Sequence, residues 1–262
     1  MCIRDRINIG LDSLVFIDDN PVERQIVREN LPLVEVPEVI GGEPESYIAA
    51  IEDGMFFETI SISEDDLKRN ETYRANQERE TLQKQYTSYE DFLKSLHMKA
   101  EISAFSELYL DRIAQLTNKT NQFNLTTKRY TRTDIENIMK DGSYITLYCR
   151  LNDKFGDNGI ISLIIAHIVE EELQIELWLM SCRVLKRNVE DAMFNALVNT
   201  ALSRKLKAIR GFYYRTPKNG MVADLYKKFG FTPVDQDGVE WYCNVSEKIL
   251  IKNIPMEITY DQ

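Results

Sequence analysis

The sequence predicts an α/β chain in which the end of a parallel-sheet domain and a helical connector precede a mixed α+β domain. Three observations predict it. Leu14-Val15-Phe16-Ile17 is an unbroken apolar run of the kind found in a buried parallel strand, and it ends in acids and a helix start. From Lys99 onward, strand and helix patterns follow in the order β-α-α-β-β-β-α-β-α-β. Within that order, Glu172 to Asp191 joins a strand directly to a helix through a cationic turn. The boundaries read from these patterns are 7–58 for the parallel-sheet piece, 59–98 for the connector and 99–247 for the mixed domain.

Composition bounds the rest. The chain has 262 residues, of which 44% are hydrophobic and 28% charged, as in ordinary globular proteins. No apolar run reaches the ~18 residues of a membrane span, so no membrane partner is expected. Four scattered cysteines without C-x-x-C spacing argue against a zinc knuckle or a disulfide framework and fit a reducing cytoplasm. The net charge of −10 disfavours nucleic acid. That charge is uneven. Glu35 to Asp66 holds ten acids and no base, while Arg183 to Lys228 holds eleven Lys/Arg against three acids. The basic half suits a small anionic ligand or an acidic protein surface, and equally suits solvated helix faces.

Residues 1–6, M-C-I-R-D-R, do not lead into the strand that follows, and the chain reads as entering a domain part-way. After the apolar run, Asp18 and Asp19 stand at a strand tip, where ligands bind in open α/β sheets. Paired carboxylates there suit a hard divalent ion such as Mg2+; they also suit a plain strand–cap–helix turn. Asn20 is the expected cap, and Pro21 suits the first turn of a helix read as Val22 to Asn30. Leu33 to Pro37 reads as a short strand, and a helical piece is expected near Ser46 to Ile51. Ser63 with Asp66 reads as the capped start of a polar helix to about Tyr86. Ser88 caps a second, with Phe92, Leu93 and Leu96 on one face.

In the mixed domain, Ala100 to Ser103 and Tyr144 to Leu151 are expected strands. Glu107 to Asn118 is an amphipathic helix. The amides and hydroxyls of Thr117 to Tyr130 predict an ordered loop whose side chains satisfy its own turns. Thr133 is the expected cap of a helix to Met139. Gly159 to Val169 and Leu173 to Met180 form a hairpin, with Leu173, Ile175, Leu177 and Leu179 on one face. Val189 to Leu202 is a helix, Ile209 to Tyr214 a strand, and Ala223 to Phe229 a helix closed by Gly230. Trp241 to Val245 is the last expected strand. In the turn Arg183 to Asn188, three cations meet the free N–H groups and positive dipole end of a helix start. That combination suits a phosphate or pyrophosphate; it also describes a basic, solvated turn.

Two resemblances sharpen these readings. L-V-F-I-D-D-N-P-V-E-R resembles the fourth motif of haloacid-dehalogenase-type (HAD) phosphatases in the FkbH-like branch. That resemblance implies that Asp18 and Asp19 hold Mg2+. K-T-N-Q-F-N-L-T-T-K-R-Y, from Lys119 to Tyr130, resembles the signature loop of FkbH-like proteins. The strand order, with A-D-L-Y-K-K-F-G-F at Ala223 to Phe231, resembles the GNAT acyltransferase fold. In that fold the turn after the fourth strand, (Arg/Gln)-x-x-Gly-x-(Gly/Ala), holds coenzyme A. The resemblance implies Arg183, Val184, Lys186, Arg187 and Asn188 as the acyl-CoA-binding residues, with Lys186 and Asn188 standing where glycines are expected. It implies Tyr226 as the catalytic acid for a departing thiolate. The two resemblances together imply an FkbH-like parent that moves an acyl (glyceryl) unit from a small phosphorylated metabolite to an acyl carrier protein. The HAD nucleophile motif is absent from this sequence. A CoA-dependent N-acyltransferase and a non-catalytic carrier-protein docking module are the alternatives.

Overall fold

The computed structural model describes residues 11–41, 43–56 and 69–260. The chain falls into two compact units, residues 1–73 and 74–262.

In the first unit the capped helix forms as expected. Helix α1 (Pro21–Asn30) opens on Asn20, whose side chain accepts from the Val22 N–H, with Pro21 in the first turn. Helix α2 (Pro44–Asp53) is longer than its sequence pattern. The expected strands at Leu14–Ile17 and Leu33–Pro37 reduce to one parallel bridge, Val15 to Glu35. Phe16 N–H donates to the Glu35 carbonyl and Glu35 N–H to the Leu14 carbonyl. The apolar run is therefore half-buried, not the fully buried strand expected. The Ser63 cap lies outside the described residues.

The second unit is built on one nine-stranded mixed sheet. Its strands are β1 (Lys99–Ser103), β2 (Phe123–Asn124), β3 (Tyr144–Asp153), β4 (Gly156–Val169), β5 (Glu172–Met180), β6 (Ala208–Phe212), β7 (Thr232–Pro233), β8 (Glu240–Asn244) and β9 (Glu257–Tyr260). They run in the order β7-β8-β6-β5-β4-β3-β1-β9, with β2 added to β5. Strands β1, β3, β4 and β5 pair antiparallel in succession, whereas β5–β6 and β1–β9 are parallel. β9 lies past residue 247, so the sheet runs beyond the boundary read from the sequence.

Each face of the sheet carries its own core. One is filled by helix α7 (Val189–Ser203), through Ala192, Met193, Phe194, Leu197 and Val198, and by Phe92, Leu93 and Leu96 from helix α4 (Tyr89–Ser95) and its C-cap. The other is covered by helix α5 (Leu110–Lys119), through Leu110, Ile113 and Leu116, and by helix α6 (Arg132–Lys140), through Ile135. α6 opens two residues earlier than expected. Thr131, not Thr133, is its cap, because Thr131 and Asp134 satisfy each other's backbone N–H groups in a capping box.

Part of the connector packs on this unit. Helix α3 (Arg69–Gln83) lends this unit the buried side chain of Arg79, and Leu82 packs on the core. Its charged composition reads as solvent-facing because the acid that Arg79 meets lies 74 positions away.

The last helical turn, α8 (Leu225–Lys228), ends at Gly230, whose φ of 77° is the left-handed conformation glycine favours. It delivers Tyr226 into the core against Gly211. A methyl at Gly211 would sit 2.3 Å from the Tyr226 ring. Overpacking of this kind costs about 1–3 kcal/mol. Gly211→Ala is expected to lower the unfolding free energy by that amount, read as a lower urea midpoint at unchanged slope in fluorescence-monitored unfolding.

Candidate functional site

Strand β5 carries the site's polar residues. Its alternation is broken by a bulge. Ile165 and Ala166, adjacent on β4, face Leu177 and Ile175, which are two apart on β5, so Glu176 is the extra residue. The break splits the expected apolar face. Leu173 and Ile175 enter the core with α7, whereas Leu177 and Leu179 enter the core with α5 and α6. A one-residue slip moves every later side chain to the opposite face.

The bulge holds Glu176 at the border of the second core, its side chain 24% exposed. Lys128 Nζ stands 2.8 Å from its Oε2, the Tyr130 hydroxyl donates to Oε2 at 3.3 Å, and the Tyr144 hydroxyl to Oε1 at 3.5 Å. Tyr144 stacks on His167 at 4.6 Å. Burial first, then the Glu176 charge, pushes the Tyr130 and Tyr144 phenols up, so both stay protonated and act as donors. The sequence reading missed Glu176, because a Glu between Ile175 and Leu177 looks like the solvent side of an alternating strand.

At its C-terminal end β5 passes into a 3-10 turn, Cys182–Val184, and then into α7. Lys186 and Asn188 have φ of 65° and 59°, the left-handed region, at the two positions where glycine was expected. Asn accepts this conformation more readily than Lys. A hydrogen bond from the Tyr89 hydroxyl holds the Lys186 carbonyl.

The five expected ligand-binding residues separate in the structure. Val184 is fully buried and packs the core. Arg187 is buried too, and donates to Asp153 Oδ2 at 3.1 Å and to the Arg183 carbonyl at 3.0 Å. Asp153 also takes a bidentate pair from Arg79, both at 2.8 Å. With two guanidiniums around one fully buried carboxylate, burial and then the neighbouring Arg79 pull Arg187 down to about 10. Arg187 therefore braces the turn from below and is not free to meet a phosphate. Arg183 is half-exposed and Lys186 exposed. Asn188 donates to Asp191 at 2.7 Å, and Lys228 pairs with both Glu190 and Asp191, which draws the acids of the helix start aside.

Beside this turn the sheet opens. β5 and β6 pair only over Glu172–Gln174 with Ala208–Arg210, then part. Chain from the asparagine- and threonine-rich loop fills the wedge. β2 pairs antiparallel with Leu179 and Met180, Leu125 N–H donates to the Trp178 carbonyl at 3.1 Å, and Tyr214 N–H donates to the Leu125 carbonyl at 2.9 Å. Asn219, fully buried, clamps this strap by donating to the Asn124 and Tyr214 carbonyls, both at 2.9 Å. The loop's amides and hydroxyls satisfy their own turns as expected. Thr127 N–H donates to Asn124 Oδ1, and Thr117 donates to the Ala114 and Tyr130 carbonyls.

Tyr226 does not reach solvent. Its hydroxyl is spent on the Phe212 main chain, accepting from N–H at 3.2 Å and donating to the carbonyl at 3.4 Å, and burial raises its pKa. In this arrangement it is a core residue and not an available acid. Around Asp18 and Asp19 the hydrogen bonding is local. Asp18 Oδ1 accepts from the Asn20 N–H, and the carbonyls of both acids, not their carboxylates, receive Arg24. Among the described residues no group of three or more His, Cys, Asp or Glu side chains could hold a metal. Nor is any helix among them long and apolar enough to cross a membrane.

No family model and no curated protein matches the chain. Among solved structures, it is similar to the ribosomal-protein-S18-alanine N-acetyltransferase from Escherichia coli (12% identity over 56% of this chain and 94% of that one, TM-score 0.44). It is also similar to Ard1 from Thermoplasma volcanium (18%, 56% and 99%, TM-score 0.43). A third is the PaiA N-acetyltransferase from Thermoplasma acidophilum in complex with coenzyme A (15%, 55% and 96%, TM-score 0.43). Likeness at this level assigns no chemistry to this chain.

Removing one partner of a buried ion pair leaves uncompensated charge and costs about 3–5 kcal/mol. Asp153→Ala, which strands Arg79 and Arg187 together, is expected to lose that much stability in chemical denaturation. Arg183→Ala, half-exposed, is expected to change stability by no more than about 0.5 kcal/mol.

Proposed function

We propose that residues 74–260 form an acyltransferase-type module that moves an acyl group from a phosphate-bearing thioester, of the acyl-CoA class, to an amine. One observation carries the proposal. A single strand, β5, presents a bulged, half-buried carboxylate along its length and a cationic, left-handed turn at its end. The rise of a strand, ~3.3 Å per residue, separates Glu176 from Ser181 by about 16 Å, room for an extended arm between a phosphate group and a reacting carbonyl.

The residues present fit the phosphate end of such a donor. Lys186 and Asn188 adopt the backbone conformation that would otherwise call for glycine. Arg183 and Lys186 supply charge at an N–H-rich helix start. Arg187 and Val184 fix the turn's shape from beneath. When bound, the donor supplies the activated acyl carbonyl.

At the other end, an incoming ammonium must lose a proton before it can attack a carbonyl, and Glu176 is a carboxylate base within reach of solvent. Lys128 and the phenols of Tyr130 and Tyr144 fix its orientation. A general base of this kind contributes about 10²–10⁴-fold. Tyr226, whose hydroxyl is committed to Phe212, takes no part in this scheme.

A second reading is favoured by the strings L-V-F-I-D-D-N-P-V-E-R and K-T-N-Q-F-N-L-T-T-K-R-Y. Their FkbH-like resemblance supports a parent chain that loads a glyceryl unit from a phosphorylated precursor onto an acyl carrier protein. In the basic half, Lys207, Arg210 and Lys228 already meet acids of the same unit, which leaves less free charge for such docking.

Two measurements test the first reading. In titration calorimetry, acetyl-CoA is expected to bind in the micromolar to sub-millimolar range and Arg183→Ala to weaken it at least tenfold; no heat at millimolar ligand sinks the proposal. Thiol release from acetyl-CoA with a panel of primary amines should fall about 100-fold or more in Glu176→Gln while acetyl-CoA binding stays within twofold.

A further inference from the structure

We infer that Lys128 is a self-acylation site, its side-chain amine being an acceptor that the chain itself presents to Glu176. This rests on the acyltransferase reading above.

Acyl transfer to an amine needs a primary amine beside the base, and the chain already holds one there. Lys128 Nζ stands 2.8 Å from Glu176 Oε2, a distance at which a carboxylate takes a proton directly. The two residues are 48 positions apart in sequence, and the backbone around Lys128 is tied to the bulge on both sides. Before it, the Thr126 hydroxyl donates to the Glu176 carbonyl at 2.7 Å. Thr127 then turns the chain at φ 54°, a left-handed conformation uncommon for a β-branched residue, with its N–H held by Asn124 Oδ1 at 2.8 Å. After it, the Tyr130 hydroxyl donates to the same Glu176 Oε2 that Lys128 meets. The Lys128 side chain is 46% exposed, so a donor carbonyl can approach it from solvent.

An ammonium is no nucleophile until it loses a proton. Glu176 takes one proton from Nζ, and Nζ bonds to the acyl carbon of the thioester. The carbon–sulfur bond breaks, its electron pair leaves on the thiolate, and a second Nζ proton turns that thiolate into a thiol. Glu176 returns its proton to water. The products are an amide on Lys128, a free thiol and a proton. Acylation removes the lysine charge and with it the ion pair, which opens the Glu176 carboxylate to the ammonium of a free acceptor. Lys228 gives the comparison within the same unit. It is 44% exposed and stands 2.6 Å from Asp191, but its acids lie at the start of α7 and not at the proposed reacting end. Exposure and ion pairing are shared by the two lysines; a place at Glu176 belongs to Lys128 alone of the pair.

The test incubates the full chain with acetyl-CoA and no added amine. Thiol release is followed in time, acetylated peptides are mapped by mass spectrometry, and calorimetry on the same samples reports whether acetyl-CoA binds. Self-acylation predicts a burst of about one thiol per chain, with acetyl on Lys128 at least tenfold over Lys207 and Lys228. Lys128→Arg, which keeps the charge but offers no amine, is expected to abolish the burst. Glu176→Gln is expected to slow it about 100-fold or more. Bound acetyl-CoA with no acetyl on Lys128 overturns self-acylation and leaves the donor site standing. Acetyl spread evenly over the three lysines, or reaching Lys128 at an unchanged rate in Glu176→Gln, marks unassisted chemistry and also overturns it. No binding of acetyl-CoA to the wild-type chain overturns the donor site and self-acylation together.

Discussion

One extra residue in β5 governs the second unit. The bulge at Glu176 exchanges the faces of β5: before it Leu173 and Ile175 enter the first core, and after it Trp178 and Met180 do, while Leu177 and Leu179 enter the second. A bulged strand also bends, and β5 leaves its parallel neighbour β6 two residues before the bulge. The wedge lies beyond that point, with the carboxylate at its side and the turn at the end of the strand.

The turn depends on a different constraint. Lys186 and Asn188 adopt backbone conformations that non-glycine residues hold only when their surroundings enforce them. The enforcement is visible beneath and beside them. Asp153 gathers Arg79 and Arg187, Arg187 reaches the Arg183 carbonyl, and Tyr89 fixes the Lys186 carbonyl. Helix α3, strand β3 and the turn are thereby joined through one buried carboxylate, and α4 is joined to the turn by Tyr89. Side chains here do the work that glycine's freedom does elsewhere, and the turn is rigid in exchange.

Much of this architecture was legible in the sequence. The helix caps at Asn20 and Ser88, the hairpin of β4 and β5, α7 and the Gly230 terminus follow from local chemistry: capping oxygens, alternation and a left-handed glycine. The ordered character of Thr117–Tyr130 was legible from its amides and hydroxyls. What local chemistry could not reveal was non-local. A bulge changes the partner strand's count and leaves no mark on its own strand's composition. Asp153 reads as a turn residue until Arg79 and Arg187 arrive from distant positions. Tyr226 sits where a resemblance wants an acid, yet its environment is set by Gly211 and Phe212 across the sheet.

Strand β9 has a consequence for how this unit comes to be folded. It pairs parallel with β1, and the side chain of Thr259 reaches the Ala100 carbonyl across 159 positions of sequence. During synthesis β1 emerges early and waits for this partner until nearly all the unit has been made. Contacts of such long sequence separation close slowly, and until then β1 presents a bare edge that another nascent chain could join. Chaperone dependence and expression yield should therefore be sensitive to how fast the stretch after Asn244 leaves the ribosome, a sensitivity that the finished fold conceals.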